Sequence, residues 1–388
     1  MPERTLVLVH ATPPPVPGGT NTVLARLFGA PARWRLEVFT DVAHRRTVRR
    51  GGDRLLPGRY RYFPRLGALL PTLRSLVDAL DVPLAVAAGA RVRLGLGSSA
   101  AGVVSVADNG FSPIAGAFAA LLLRCPHVVM VFDLWEENAY SAASRRLARL
   151  VEGPILRSAG AVVVFCPQAA HHLHHKHGVE CWAIDTPIDV GPSGPGASLP
   201  DRRPLEILVA GAIYWAQEDA VRRLLRAAAG VDAVTVTIVG DEPSLRARGF
   251  AADAYEPPLP GAEFHDRLRR ADILFIGLSF ASPHPEVVLT ATPARLPECM
   301  AAGRPLLIHA PAASHVATYG RDEDLGVVVD QPSEEALERG IRALLDDPDG
   351  AAARSRRAAR LARERHDAAA VREAFGRILD GLLAGNQV

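Results

Sequence analysis

The sequence predicts an α/β protein made of parallel sheets and divided into two domains. Three observations carry this expectation. Short β-branched runs alternate with helical patterns along the 388 residues, a stretch dense in Pro, Gly and Ser interrupts them at 191–204, and the alternation then restarts. Strand–helix alternation is the mark of βαβ units, whose strands pair in parallel. The length is long for one domain and ordinary for two. The expected division is a first domain over 1–190, a linker at 191–204, a second domain over 205–365 and a closing helical segment at 366–388.

Taken in order, residues 6–10 read as a short buried strand. A turn-rich loop, Ala11-Thr-Pro-Pro-Pro-Val-Pro-Gly18-Gly19-Thr20, leads from it into a helical segment at 21–29. Runs at 103–107, 128–132 and 161–165 are further β-branched strands, each followed by a helical stretch. The segment 191–204 has no periodicity and suits a linker. Beyond it come strands at 205–210, 234–239 (ending in Gly240-Asp241) and 272–278, with a helix around 218–229. At the end Val371, Phe375, Leu379, Leu382 and Leu383 form a helical stripe.

Bulk properties exclude several classes. A 48% apolar fraction supports proper cores, and 22% charged residues with a net charge of +2 give no reason to expect nucleic acid. Cationic residues are almost all arginine, with Lys176 the sole lysine, and the chain is rich in alanine, which reads as the composition of a high-GC bacterial genome. Cys125, Cys166, Cys181 and Cys299 lack metal-type spacing and read as reduced, packed thiols. Neither a long apolar run nor a signal-peptide pattern is evident, so a cytoplasmic protein is expected.

The most informative stretch is Thr292-Pro-Ala-Arg-Leu-Pro-Glu298-Cys-Met-Ala-Ala-Gly303-Arg-Pro305, followed by a strand at 305–309. Pro293 and Pro297 confine a helix start and Gly303 stops the helix. The first N–H groups of a helix lack internal partners and favour anions, while a carboxylate in its first turns can accept ribose hydroxyls. This stretch resembles the donor-nucleotide segment of retaining glycosyltransferases of the family-4 type, which have the GT-B fold: two Rossmann-like domains whose parallel sheets face a central cleft. The resemblance extends through Gly326-Val-Val-Val-Asp330 and the closing helices, covering 205–384 well and 1–190 more loosely.

The resemblance implies a nucleoside-diphosphate sugar as co-substrate and no cofactor or obligatory metal. It makes 205–365 the donor-nucleotide domain and 1–190 the acceptor side, with a closing helix that crosses back to the first domain. Glu298 would bind the donor ribose. Gly18 and Gly19 resemble the family's loop near the donor phosphate, where a Cβ would obstruct close approach. Gly211 and Thr290 are further donor-side positions. Thr290 replaces the family's second glutamate, and the segment from Gly211 to Glu218 lacks the family's Arg and Lys, which leaves Arg295 as the replacement cation. Asp133 and Trp135, in Phe132-Asp-Leu-Trp-Glu-Glu-Asn138, stand at a strand's carboxyl end, where open α/β sheets bind ligands. Asp133 is the candidate catalytic residue, and Trp135, Asp108 and Asn109 are candidate acceptor contacts. The acceptor would be a hydroxyl of a glycan, a lipid-linked glycan or a natural-product aglycone. A GT-B nucleotide-sugar epimerase and a non-catalytic sugar-nucleotide-binding relative are the alternative readings.

Two other clusters draw attention. His171, His172, His174, His175 and His177 sit within one predicted helix, but no Asp, Glu or Cys completes a metal set, so a solvated helical face is expected. Segment 44–65 holds eight arginines against Asp53 alone, and is a candidate contact for anionic lipid heads at the inner face of the membrane or for an acidic acceptor.

Overall fold

Thirteen strands pair in two parallel sheets within the described residues of the computed structural model, which are 4–29, 34–52, 55–65, 81–96, 100–107, 110–139, 141–189, 198–211, 213–259 and 261–384. The chain divides into two units, one formed by Met1–Pro187 with Ala368–Val388 and the other by Ile188–Asp367.

In the first unit the strands are β1 (Thr5–Val9), β2 (Arg35–Asp41), β3 (Gly58–Phe63), β4 (Ala100–Val106), β5 (His127–Val131), β6 (Ala161–Val164) and β7 (Cys181–Ala183). They pair in the order β3-β2-β1-β4-β5-β6-β7. Strand order therefore reverses between β1 and β4, the place where doubly wound sheets open a crevice at their carboxyl ends. Alternation along β1 serves two cores. Leu6 and Leu8 join Val104 and Met130 on one face, while Val7 and Val9 join Phe39 and Val103 on the other. Because helices cover both faces, the strands read as continuous apolar runs. His127 is the exception in β5. Burial lowers its pKa to about 4, so it sits there neutral, with Nε2 2.8 Å from the Ser105 hydroxyl.

The closing helix Ala368–Leu383 counts with this unit. Its stripe of Val371, Phe375 and Leu379 shares a core with Leu24 and Phe28, and the Phe375 ring meets Phe28 edge-on at 5.5 Å.

The second unit holds β8 (Leu205–Ala210), β9 (Val234–Val239), β10 (Ala254–Glu256), β11 (Ile273–Gly277), β12 (Leu306–His309) and β13 (Val327–Val329). Their order, β10-β9-β8-β11-β12-β13, reverses between β8 and β11. Helix Glu218–Ala229 buries Val221, Leu224 and Ala228 and places Glu218 and Asp219 in its first turn, where the helix dipole favours them. Ser333 caps Glu334–Asp346 by accepting from the Ala336 N–H at 3.0 Å. The expected helix within 292–303 is Arg295–Ala301, preceded by another short helix, Pro285–Thr290, and Gly303 follows with a φ of +67°.

The expected linker 191–204 lies partly outside the described residues, as do Asp108 and Asn109. No helix among the described residues is long and apolar enough to cross a membrane.

Candidate functional site

The second unit brings three of the expected donor residues together. β8 is followed by Gly211, whose φ of +115° is one that L side chains rarely adopt. A Cβ there would also stand 3.2 Å from Arg295 Nε and 3.3 Å from its Cγ, so the backbone passes directly over the arginine. Arg295 opens the helix Arg295–Ala301 and donates from Nη1 to Glu298 Oε2 at 2.9 Å. Its guanidinium lies 4.0 Å from the centroid of the Phe264 ring, a cation–π placement. The Glu298 side chain is only 6% exposed, and its Oε1 lies 3.7 Å from His265 Nε2. Arg295 is 41% exposed, so the pair has a buried anionic end and an accessible cationic one.

Gly211, Val239, Gly240, Asp241, Phe264 and Arg295 line a cavity of about 330 Å³ at the carboxyl ends of β8 and β9. Arg248 lines it as well. Its guanidinium donates to the Ile213 carbonyl at 2.9 Å and to Glu218 Oε2 at 3.0 Å, fixing the loop after β8. Sequence reasoning found no cation in that loop. The structure supplies one from the far side of β9, at a separation that no local pattern could signal. Asp241 caps the next helix by accepting from the Ser244 N–H.

Thr290 is buried and ends the helix Pro285–Thr290, its hydroxyl donating to the Glu286 carbonyl at 2.9 Å. His309, at the end of β12, is also buried. Its Nδ1–H donates to the Val329 carbonyl, so Nε2 accepts from Arg223 at 3.0 Å. Burial and the Arg223 charge lower its pKa to about 4 and keep the ring neutral.

In the first unit Gly18 precedes the helix Gly19–Phe28, and its carbonyl accepts from the Thr22 N–H at 3.0 Å. No atom lies within 4 Å of where a Cβ would stand at Gly18 or Gly19, so packing within the chain does not require glycine at either position. The loop before them is held by Asn21, which donates to the Val16 carbonyl and sits 3.1 Å from His10 Nε2. Asp133 follows β5 and is half-buried. Trp135 is only 5% exposed, because its ring packs on Gly110, where a Cβ would stand 2.3 Å from Cζ2. It is a wall of the strand-end loop rather than an exposed platform.

The acidic residues beside Asp133 and the histidine-rich helix turn out to be one structure. Lys176 Nζ lies 3.0 Å from Glu136, 2.7 Å from Glu137 and 2.8 Å from Glu152. His172 meets Glu137 at 3.1 Å and His177 meets Glu152 at 3.0 Å. The expectation of a wholly solvated helical face therefore holds only for His171, His174 and His175, which are exposed. A compact ammonium with three rotatable donors can serve three carboxylates at once, whereas a planar guanidinium favours paired contacts. No group of three or more His, Cys, Asp or Glu residues among the described ones could hold a metal ion. All four thiols are free, and burial pushes each of them up, Cys299 to about 12.

Residues 216–375 match the model of a family described as glycosyl transferase-like. No curated protein matches the chain. Among solved structures, a sucrose-phosphate synthase from Thermosynechococcus elongatus shares 16% identity at a TM-score of 0.72, covering 99% of this chain and all of that one. Anabaena Alr3699/HepE, solved with UDP and glucose, also shares 16% identity, at a TM-score of 0.68, over 98% of this chain and 100% of that one. A glycosyltransferase from Rickettsia africae shares 11% identity at 0.68, covering 99% of each chain. At such identities the likeness establishes the fold, and the family match lies over the unit that holds Thr290, Arg295 and Glu298. The chain therefore has the GT-B fold, and its residues 216–375 form a glycosyl transferase-like domain.

Proposed function

We propose that the chain transfers a sugar from a nucleoside-diphosphate sugar to an acceptor hydroxyl, with retention at the anomeric carbon and without a metal or cofactor. The observation that carries this reading is Arg295, beneath Gly211 at the rim of a cavity large enough for a nucleoside and paired with the buried Glu298. The UDP and UDP-glucose found with Alr3699/HepE support a nucleotide-sugar donor.

In this reading Glu298 accepts the ribose hydroxyls. Arg295, aided by Arg248, takes the diphosphate, and Gly211 lets the backbone approach it. Thr290 lies towards the sugar. Gly18 and Gly19 serve as a phosphate-side loop. Asp133 positions the reacting end, with Trp135, Asp108 and Asn109 on the acceptor side. The bond between the anomeric carbon and the diphosphate oxygen breaks, and its electron pair leaves with the diphosphate. The acceptor oxygen bonds to that carbon on the same face, and its proton passes to the leaving phosphate. Cations and preorganised N–H groups stabilise the charge that develops there. The acceptor is a glycan, a lipid-linked glycan or a natural-product aglycone, and the enzyme works in the cytoplasm with a peripheral contact to the inner face of the membrane.

Glu298→Ala tests the central assignment. A carboxylate–ribose hydrogen bond is worth about 1.5–3 kcal/mol, so nucleotide affinity is expected to fall roughly ten- to hundredfold with the melting temperature retained. An unchanged dissociation constant by calorimetry would remove Glu298 from the donor site. Asp133→Asn should leave nucleotide affinity within about 1 kcal/mol and lower turnover roughly ten- to thousandfold. Parallel losses would move Asp133 to the donor. A free epimerised sugar as the product would replace transfer with epimerisation.

A further inference from the structure

We infer that the first unit docks on an anionic bilayer surface through Arg45, Arg46, Arg49 and Arg50. All four are exposed, and none meets a carboxylate among the described residues. They occupy the helix Arg45–Arg49 and its C-cap, with Val48 buried beneath. At 100° per residue, positions 45, 46, 49 and 50 span an arc of about 140°, opposite Val48. The turn is firmly seated. Asp41 accepts from the Ala43 N–H at 2.9 Å before it, and behind it a Cβ on Gly51 would stand 2.6 Å from Pro15 Cγ.

The turn differs from other arginine-rich helices in having no acid among the described residues to answer its cations: Arg145, Arg146 and Arg149, and Arg356, Arg357 and Arg360, repeat the spacing, but there Arg149 meets Glu136 and Arg357 meets Asp324. At i,i+4 spacing the chain sets Glu218 against Arg222, Asp219 against Arg223, Glu242 against Arg246 and Glu338 against Arg342. Here the same spacing sets Arg45 against Arg49 and Arg46 against Arg50, pairs that repel and destabilise an isolated helix. Spread over about 140° of one turn, the guanidiniums suit the several phosphates of a headgroup array. Asp53 sets one acid against the eight arginines of the segment, so the local excess is strongly cationic on a chain of net charge +2.

The inference deepens the membrane contact in the functional reading and stands apart from its donor chemistry. The full chain is sedimented with phosphatidylcholine vesicles, with and without phosphatidylglycerol, while UDP binding is titrated on the same preparation. Binding to the anionic vesicles alone is expected, falling as salt is added. Each Arg→Gln change should weaken binding about fivefold and the four together more than about a hundredfold, since each cation near such a surface contributes about that factor. A fourfold Arg→Lys variant should bind almost as the parent does. UDP affinity and melting temperature should not move in any variant, and a lost UDP response in the parent would count against the donor reading alone. Equal binding to both vesicle types, no binding to either, or a fourfold Arg→Gln variant that binds like the parent would overturn the inference. So would displacement by inorganic phosphate beyond a chloride control of matched ionic strength, which would indicate a single-anion site.

Discussion

Many arginines of the second unit sit against carboxylates, whereas none of Arg45, Arg46, Arg49 and Arg50 meets one among the described residues, and Arg45 lies 5.8 Å from the centroid of the Tyr62 ring. Arg202 meets Asp272 at 2.8 Å, and Arg267 reaches both Glu206 and Glu256. Arg321, Arg342 and Arg365 each hold an acid on the surface. A guanidinium with an internal partner ties elements of its own unit together and has little left for an outside anion. One that no carboxylate answers keeps its charge for something else. Arg295 stands between these cases, paired with Glu298 yet open to the cavity. The difference teaches that position alone does not make a cation functional; what matters is which charge already answers it.

The harshest way to break this comparison is to remove a cation that several buried acids share. Lys176→Met leaves Glu136, Glu137 and the nearly buried Glu152 facing one another. A loss of about 3 kcal/mol is expected in urea denaturation, in the range for stripping a partner from a buried charge. Its pH dependence follows from Glu137. Burial would raise that carboxyl, but the hydrogen bonds from His172 and Lys176 outweigh it and bring it to about 2. A lowered folded-state pKa means that the stabilisation is complete above the ordinary value of 4.5 and is lost as pH falls from there towards 2. Lys176→Met should flatten that acid limb, and an unchanged limb would assign the shift to other groups.

Arg295→Ala sharpens the intermediate case. Affinity for UDP should drop about tenfold and affinity for uridine less than about twofold, because the proposed partner is the diphosphate. Equal losses would show that Arg295 acts by holding Glu298 in place. The smallest effect belongs to a pair that is formed but wet. Arg377 and Glu373 are each 69% exposed, and Arg377→Ala should change stability by less than about 0.5 kcal/mol. A larger change would mean that pairing counts even in full solvent.

The scaffold was readable because parallel strands buried on both faces leave apolar runs, as β1, β5, β8 and β12 do over 6–9, 128–131, 207–210 and 306–308. Gly211, Arg295 and Glu298 were readable for a different reason: two of the three lie within one helical turn, and the resemblance named the third. Arg248 was not, because it reaches the cavity from beyond β9 and nothing in its own neighbourhood marks it. The Lys176 cluster was hidden for the same reason. Its acids lie in the loop after β5 and in the following helix, and only the packing of helix Pro167–His177 brings the lysine to them. Local pattern reveals elements and contiguous motifs, whereas charges that meet across elements are set by topology.

The route of the chain has a consequence for its synthesis. The second unit is one continuous segment, Ile188–Asp367, set within a first unit that is complete only when Ala368–Leu383 arrives. As the chain grows, the second unit can close on itself while the first still lacks Phe375, against which Phe28 and Trp34 pack. At about 5–20 residues per second, the first unit's sheet, whose last strand ends at Ala183, waits roughly 10–40 s for that helix. During this interval the apolar face of Leu6, Leu24 and Phe28 has no cover from it, so a nascent chain stalled before residue 368 should be the form most readily captured by chaperones.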